Sequence, residues 1–300
     1  MIEDYFGFLP VKWEFRFAGG SISPIPEFDR ISEEVDREMN EDGFMYEPMS
    51  RRFRLDFRTM EPLEEIPKTK RPAILHPVPP SHLIRSAGPG TLEEFRKGPG
   101  AFLMHLLSYL FGIRLQFHDW WFDSRIPMRL ALNHNVHPDR DTVEDFLSHC
   151  YATWQAWPAE DQKLITNLLF MHSRAPAYEW DWERFTIEYM VFDGCWKLAR
   201  RRYALPEVPH NHRIKKACQR FGIPCDDALA INICDLRNEL FHETLWDGSQ
   251  PYTAVCTDTF MCPYHLRRLN QRLIPALLEY NNGYVKTGWW SLGSFLFGRV

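Results

Sequence analysis

Hydrophobic and polar residues alternate with a period of two in the first sixty residues, which is the pattern of half-buried strands. Residues 11–17 form one such segment, which ends at a Gly-Gly pair, and residues 52–58 form a second with every apolar side chain on one face. Between them, the charged stretch 27–41 predicts a short helix or a loop. Residues 62–99 are dense in proline, which favours an irregular or extended connector. Together these segments predict a β-rich N-terminal domain with a proline-rich connector over residues 1–138.

The second half of the chain has the period of an amphipathic α-helix. Residues 100–111 already predict a buried helix and residues 114–122 a strand, but after Pro138 the helical period dominates, with Asp141-Thr142 as a candidate cap. Helices are predicted over residues 141–157, 159–173, 180–203, 212–221, 226–243 and 263–280. The chain is therefore predicted to be α+β, with an all-α helical domain over residues 139–300.

Composition and charge narrow the class of protein. Hydrophobic residues make up 45% of the 300 residues and charged residues 25%, as in soluble globular proteins. The net charge of -5 gives no general attraction to nucleic acid, so any such site has to be local. The start of the chain is acidic and unlike a signal peptide, and the longest strongly apolar run, residues 101–111, is half of a membrane span. We therefore expect a cytoplasmic protein without membrane contact.

Positive charge is concentrated between residues 197 and 220, where Glu207 is the only acid. Such a cluster can follow a phosphate backbone, and a solvated helix end with its loop explains it equally well. The candidate RNA-binding residues in this stretch are Arg200, Arg201, Arg202, Lys215 and Lys216.

Metal and cofactor chemistry has little support in the sequence. Cys256, Cys262 and His265 could supply three zinc ligands, but their gaps match no strong zinc-finger spacing. The seven cysteines are scattered, which favours reduced buried thiols. No glycine-rich nucleotide-binding pattern occurs. We therefore expect neither a metal nor a cofactor.

The most informative polar residues lie at the end of the predicted helix 226–243. The guanidinium of Arg237 can hold a phosphate in a planar fork, and the imidazole of His242 can move a proton near neutral pH. Asn238 stands between them. The spacing alone is weak evidence, because it recurs at residues 71–76 and 129–134. The copy at residues 237–242 differs from these two because it lies at the end of a predicted helix, next to an otherwise apolar surface.

Helical projection predicts that this site needs two chains. On a straight helix Arg237 and His242 point about 140° apart, so one helix would make a poor compact site. Beside the core stripe, the helix has a second apolar face that includes Ala230, Ile231, Cys234 and Phe241. An apolar face rimmed by polar groups favours a partner, and a twofold axis would bring both arginines and both histidines around one cleft. The expected assembly is a homodimer through this helix.

The motif resembles the signature of HEPN-domain ribonucleases, in which Arg, a polar residue, three further residues and His follow one another on a helix. The string 236–243, with Trp246-Asp247-Gly248 after it, is similar to the Apea-like branch, and residues 189–193 resemble an upstream helix of that branch. The resemblance covers roughly residues 140 to 281 and implies a HEPN-like helical bundle that dimerises. It assigns the catalytic roles to Arg237, Asn238 and His242, and a supporting acid to Asp193 or Glu188.

What the resemblance implies is a metal-independent endoribonuclease of a toxin–antitoxin, CRISPR-associated or other antiviral system. The ribose 2′-hydroxyl would attack the adjacent phosphorus, with His242 as general acid or base and Arg237 neutralising the phosphorane. The alternative is a catalytically inactive HEPN-like dimer module that binds RNA or protein. Expected partners are RNA, a second copy of the chain, and an antitoxin or a phage-derived trigger. In a third hypothesis, the β-rich part senses a phage or host ligand and gates the nuclease.

Overall fold

The computed structural model describes residues 1–46, 53–56, 58–59, 61–65, 67, 75–76, 78–87, 90–120, 122–123, 125–129, 134–244, 246, 261–291 and 293–298. Helices and an antiparallel sheet both occur, which confirms the prediction of a mixed α+β protein. The strands lie mainly before residue 138 and the longer helices mainly after it.

An antiparallel sheet with the order β2-β3-β8-β1-β9 dominates the N-terminal part. Its strands are β1 (Ile2–Gly7), β2 (Phe15–Phe17), β3 (Gly20–Pro24), β8 (His82–Ser86) and β9 (Gln116–Phe117). The remaining strands form short pairs: β4 (Phe44–Met45) with β11 (Ile126–Pro127), β5 (Phe53–Leu55) with β6 (Pro62–Glu65), β7 (Leu75–His76) with β10 (Phe122–Asp123), and β12 (Val136–His137) with β13 (Phe295–Leu296).

The predicted strands are partly confirmed. In β2, Phe15 and Phe17 are buried and Arg16 is exposed, as the period of two requires. Pairing begins only at Phe15, although Val11 and Trp13 already pack against the same core. The alternation therefore predicted the buried face correctly and the length of the strand incorrectly. Likewise, the predicted strand 114–122 is not continuous. Among its described residues, only β9 and the first residue of β10 are paired, and the two strands belong to different sheets.

The helices follow the predicted positions closely, except for Leu92–Lys97, which lies in the stretch predicted to be irregular or extended. They are α1 (Phe28–Glu38), α2 (Leu92–Lys97), α3 (Pro99–Phe111), α4 (Arg140–Gln155), α5 (Ala159–Arg174), α6 (Asp181–Tyr203), α7 (His210–Phe221), α8 (Asp227–Asn238) and α9 (Cys262–Leu277). The charged stretch after residue 27 is thus a helix rather than a loop. Asp139, and not Asp141, caps α4 by accepting from the Thr142 amide, and Asp226 caps α8 by accepting from the Leu229 amide.

One hydrophobic core spans both halves of the described chain. The Phe102 ring of α3 stacks on Trp154 of α4 at 5.0 Å between centroids, and Phe17 of β2 meets Tyr151 edge-on at 5.6 Å. The sheet and the helices therefore stabilise one another by shared burial of apolar surface. The division into domains 1–138 and 139–300 stays a prediction about which segments fold on their own.

A buried ionic network joins helices α5, α6 and α9. The Glu188 carboxylate of α6 is 1% exposed and accepts hydrogen bonds from Arg267 Nη1 of α9 at 2.6 Å, Asn270 Nδ2 of α9 at 2.8 Å and His172 Nδ1 of α5 at 2.9 Å. Burial alone would raise the pKa of Glu188, but the charges of His172 and Arg267 and these hydrogen bonds hold the pKa below its ordinary value. Burial and Arg267 lower the pKa of His172, and the carboxylate of Glu188 opposes them.

Arg267→Met should strongly destabilise the protein, because it leaves the Glu188 carboxylate buried without its counter-charge. The expected loss in the free energy of unfolding is about 3–5 kcal/mol in urea titrations at neutral pH. Folding lowers the pKa of Glu188, so this loss is present above about pH 4.5 and narrows as the pH falls towards the folded-state pKa.

The matched control is Arg30→Met, because the Arg30–Glu34 pair of α1 is exposed to solvent. It should leave the urea midpoint almost unchanged. Equal effects of the two variants would contradict the role given to the Glu188 network.

Candidate active site

The motif helix changes its winding at the predicted site. Helix α8 ends at Asn238 and continues as a π-turn over Glu239–Glu243, closed by a hydrogen bond from the Thr244 amide to the Glu239 carbonyl. A π-turn joins residues five apart, so side chains at i and i+5 approach each other. The Arg237 Nη1 atom accordingly lies 3.0 Å from His242 Nε2. The projection on a straight helix was therefore wrong, since one helix does bring the motif side chains together.

The hydrogen bonds of Arg237 indicate which ring nitrogen of His242 carries the proton. Arg237 Nη1 donates to Asn238 Oδ1 at 3.0 Å and to His242 Nε2 at 3.0 Å. A guanidinium can only donate, so Nε2 carries the lone pair and the neutral imidazole of His242 carries its proton on Nδ1. The guanidinium lies 5.2 Å from the ring centre of Phe241 and 5.9 Å from that of Tyr189. These rings and Asn238 hold the arginine beside the histidine.

A second arginine makes the same arrangement on the neighbouring helices. Arg213 Nη1 of α7 donates to Asp193 Oδ1 of α6 at 2.8 Å and lies 3.1 Å from His210 Nδ1, the first residue of α7. Because a guanidinium can only donate, Nδ1 of His210 accepts the hydrogen bond from Arg213, and the neutral imidazole carries its proton on Nε2. Each of the two arginines thus shares one nitrogen between an oxygen and an imidazole.

The two arrangements adjoin each other. The Cys234 thiol of α8 lies 3.6 Å from the His210 carbonyl, and Arg237 and Asn238 follow Cys234 by one helical turn. Burial lowers the pKa of His210, and the charges of Arg213 and Arg237 lower it further, against the opposing charge of Asp193. Helices α6, α7 and α8 therefore converge on one cluster of two arginines and two histidines.

The two candidates for a supporting acid have different positions. Asp193 lies in the cluster, with its carboxylate held by Arg213, and Tyr189 one turn earlier on α6 faces Arg237. Glu188 lies instead in the buried network between α5, α6 and α9, so its assignment as a site residue is wrong. The cause is the rotation of α6, which turns position 188 towards the core and position 193 towards α7.

The candidate RNA-binding residues mostly have acidic partners. Arg200 pairs with Glu207, Arg201 with Glu160 and Asp161, Arg202 with Asp161 and Glu279, and Lys215 with Asp227. The ion pairs of Arg201 and Arg202 with Glu160 and Asp161 connect α6 to α5. They support the explanation of the basic stretch as a helix end with structural contacts. Lys216 is exposed on α7. A role of these five residues in RNA binding stays a prediction.

The other patterns give no assembled site among the described residues. Arg129 pairs with Asp36 on the surface, whereas His134 is buried and bonds to the Leu110 carbonyl. Arg71 and the candidate zinc ligand Cys256 lie outside the described residues. Cys262 is buried, which raises the pKa of its thiol to about 12. No group of three or more His, Cys, Asp or Glu side chains with metal-binding geometry occurs in the described part of the chain.

His210 and Arg213 are the residues of this cluster that the sequence did not indicate. A histidine directly after a proline at a helix start is typical of a capping or loop residue, and Arg213 is one of several basic residues between residues 197 and 220. Their spacing of three on a helix, which places both side chains on one face, was the available signal. The second apolar face of α8 is also smaller than predicted, because Ala230 and Cys234 are buried within the chain, while Ile231 and Phe241 are about half exposed.

Comparisons with models of known protein families, with curated proteins and with solved structures found no match. The resemblance to HEPN ribonucleases therefore rests on the residues quoted for it. Across the described ranges, no helix combines the length and the apolar character that crossing a membrane requires.

The hydrogen bonds predict opposite tautomers for the two histidines. In ¹⁵N NMR spectra at about pH 8, His242 should carry its proton on Nδ1 and His210 on Nε2. Arg237→Met removes the donor to His242 alone. It should shift His242 towards the Nε2-protonated form that free neutral histidine prefers and leave His210 unchanged. His212, which is exposed on α7, is the internal reference. Identical tautomers at both sites would contradict the geometry.

Proposed function

We propose that this protein is a metal-independent endoribonuclease that cleaves RNA by attack of the ribose 2′-hydroxyl. The observation that carries the proposal is the hydrogen-bonded group of Arg237, Asn238 and His242, in which the imidazole and the amide are exposed to solvent. A cation that binds phosphate thus stands next to a group that transfers protons. The resemblance to HEPN ribonucleases at the same three residues supports this function.

The chemistry follows from the atoms present. A bound phosphodiester competes for the donors of Arg237 and releases His242 Nε2 for proton transfer. The bond from the 2′-oxygen to phosphorus forms, the bond to the 5′-oxygen breaks, and a 2′,3′-cyclic phosphate and a 5′-hydroxyl remain. One proton leaves the 2′-hydroxyl and one reaches the 5′-oxygen, and His242 transfers one of the two. Arg237 stabilises the charge that develops on phosphorus.

The proposed biological setting is a cytoplasmic defence or toxin-type system. We infer an active homodimer through the α8 helix, with restraint by an antitoxin or release by a phage-derived trigger. Ile231, Phe241 and Met190 support such an interface, because these large side chains are about half exposed around the motif. Gating by the β-rich part belongs to the same proposal.

The alternative function is a dimer module that binds RNA or protein without cleaving it. One observation favours it: both hydrogens of Arg237 Nη1 already have acceptors within the chain. In that case the polar group would only position the helix end.

His242→Ala should abolish most of the RNA cleavage by the purified protein in EDTA. The expected loss is roughly 10²–10⁴-fold, since a positioned acid or base contributes that much. His137→Ala is the control, because His137 is exposed on β12 away from the motif. The products should carry cyclic phosphate ends, and a DNA strand of the same sequence should remain intact because it lacks the 2′-hydroxyl.

Cleavage that needs added metal, or that persists in His242→Ala, would falsify this mechanism. RNA binding without turnover in the wild-type protein would instead favour the alternative module. Truncation before residue 138 tests gating if thermal melting shows that residues 138–300 fold without the shared core, since unchanged cleavage would then remove the reason to invoke it.

Ile231→Glu should convert the dimer into a monomer, because a carboxylate at this exposed apolar position of α8 cannot be buried without a partner. The molar mass from light scattering should fall by about half, and RNA cleavage should fall with it if the dimer is the active form. Leu92→Glu on α2 is the control, since Leu92 is similarly exposed but distant in sequence from the motif. A wild-type monomer that cleaves RNA would exclude the dimer from the proposal.

A further inference from the structure

Cleavage of RNA without a metal requires two proton transfers, one from the 2′-hydroxyl and one to the 5′-oxygen. The motif of α8 supplies one imidazole per chain, at His242. The cluster described above contains a second imidazole from another helix, at His210. Both imidazoles are held in the same way, each by the Nη1 atom of an arginine.

The arrangement of His210 suits it to act on the same phosphate. Its carbonyl contacts Cys234, one turn before Arg237 on α8, so the start of α7 lies against the motif. The side chain of His210 is 37% exposed and that of Arg213 is 16% exposed, so a ligand can reach the imidazole while the guanidinium stays fixed. Asp193 at 2.8 Å fixes the guanidinium of Arg213 in turn.

We propose that His210 is the second proton-transfer group of this site, positioned by Arg213 and Asp193, so that one chain carries both a general base and a general acid. This inference rests on the proposed ribonuclease function. A phosphate that binds between the two arginines takes up their Nη1 hydrogens and frees Nδ1 of His210 and Nε2 of His242. The freed Nε2 of His242 takes up a proton from water. His210 then accepts the proton of the 2′-hydroxyl at Nδ1, and His242 delivers its Nε2 proton to the 5′-oxygen as the phosphorus–oxygen bond breaks. The next turnover restores both protonation states by exchange with water.

The surroundings of His210 suit it to the role of the base. The titratable and charged groups around it are Asp193 on α6, Arg213 on α7, Cys234 on α8, and Arg237 and His242 at the motif. Burial and the excess of positive charge lower the pKa of His210, which keeps the imidazole neutral and ready to accept a proton.

The test compares His210→Ala with His212→Ala, a histidine on the same turn of α7 that is exposed and outside the cluster. On RNA, His210→Ala should lose roughly 10²-fold or more of kcat/KM and His212→Ala should keep the wild-type value. A uridine 3′-phosphate ester with a p-nitrophenol leaving group separates the roles, because this leaving group needs no general acid. His210→Ala should still be impaired on the ester, whereas His242→Ala should recover most of its activity there.

The pH profile supplies a readout that a structural role would not change. Wild-type kcat/KM should be bell-shaped, and His210→Ala should lose the limb that rises with pH. His210→Gln keeps an acceptor for Arg213, so a folding defect is not expected, and thermal melting checks this. The variant should be as inactive as His210→Ala. Wild-type cleavage with full activity in His210→Gln overturns this inference alone. Absence of cleavage by the wild-type protein overturns the ribonuclease proposal and this inference with it.

Discussion

The buried carboxylate of Glu188 is the constraint on which the helical part of this protein depends. An ionised group in the core is tolerated only if charge and hydrogen bonds compensate it, so α5 and α9 have to present His172, Arg267 and Asn270 at fixed positions around α6. This requirement sets the rotation of α6 about its axis. Asp193, five residues further along α6, then faces Arg213 of α7. The interior network thus determines which face of α6 is available to the candidate site.

Arginine has two different roles in this structure, and their acceptors distinguish them. Arg272 is fully buried and donates to Thr287 and Gly288, whose positions the fold determines. Arg267 likewise bonds to the Glu188 carboxylate in the interior. Arg213 and Arg237 instead share a nitrogen with an imidazole that is partly open to solvent. A phosphate can replace a neutral imidazole as acceptor far more easily than it can replace a buried carboxylate, because the bond to the anion is stronger.

Local sequence patterns predicted the helices well and the strands poorly. A helix satisfies its backbone hydrogen bonds within its own segment, so the period of α4 to α9 was sufficient to place them within a few residues. A strand depends on a partner that can lie far away in the chain. Residues 11–17 had the correct buried face, yet only Phe15 to Phe17 find a partner, in β3. For the same reason, local patterns could not predict the hydrophobic core that is shared by the two halves of the chain.

The sequence by itself determined the chemical groups of the candidate site, since Arg237, Asn238 and His242 could be named from their types and spacing. It also determined which residues carry the helical core, because apolar periodicity is a local property. Only the tertiary structure decided how these groups meet. The π-turn after Asn238 aligns Arg237 with His242, a change of winding that a projection at 100° per residue cannot contain. The packing of α7 on α8 then adds His210 and Arg213, because contacts between helices depend on the whole bundle rather than on any one segment.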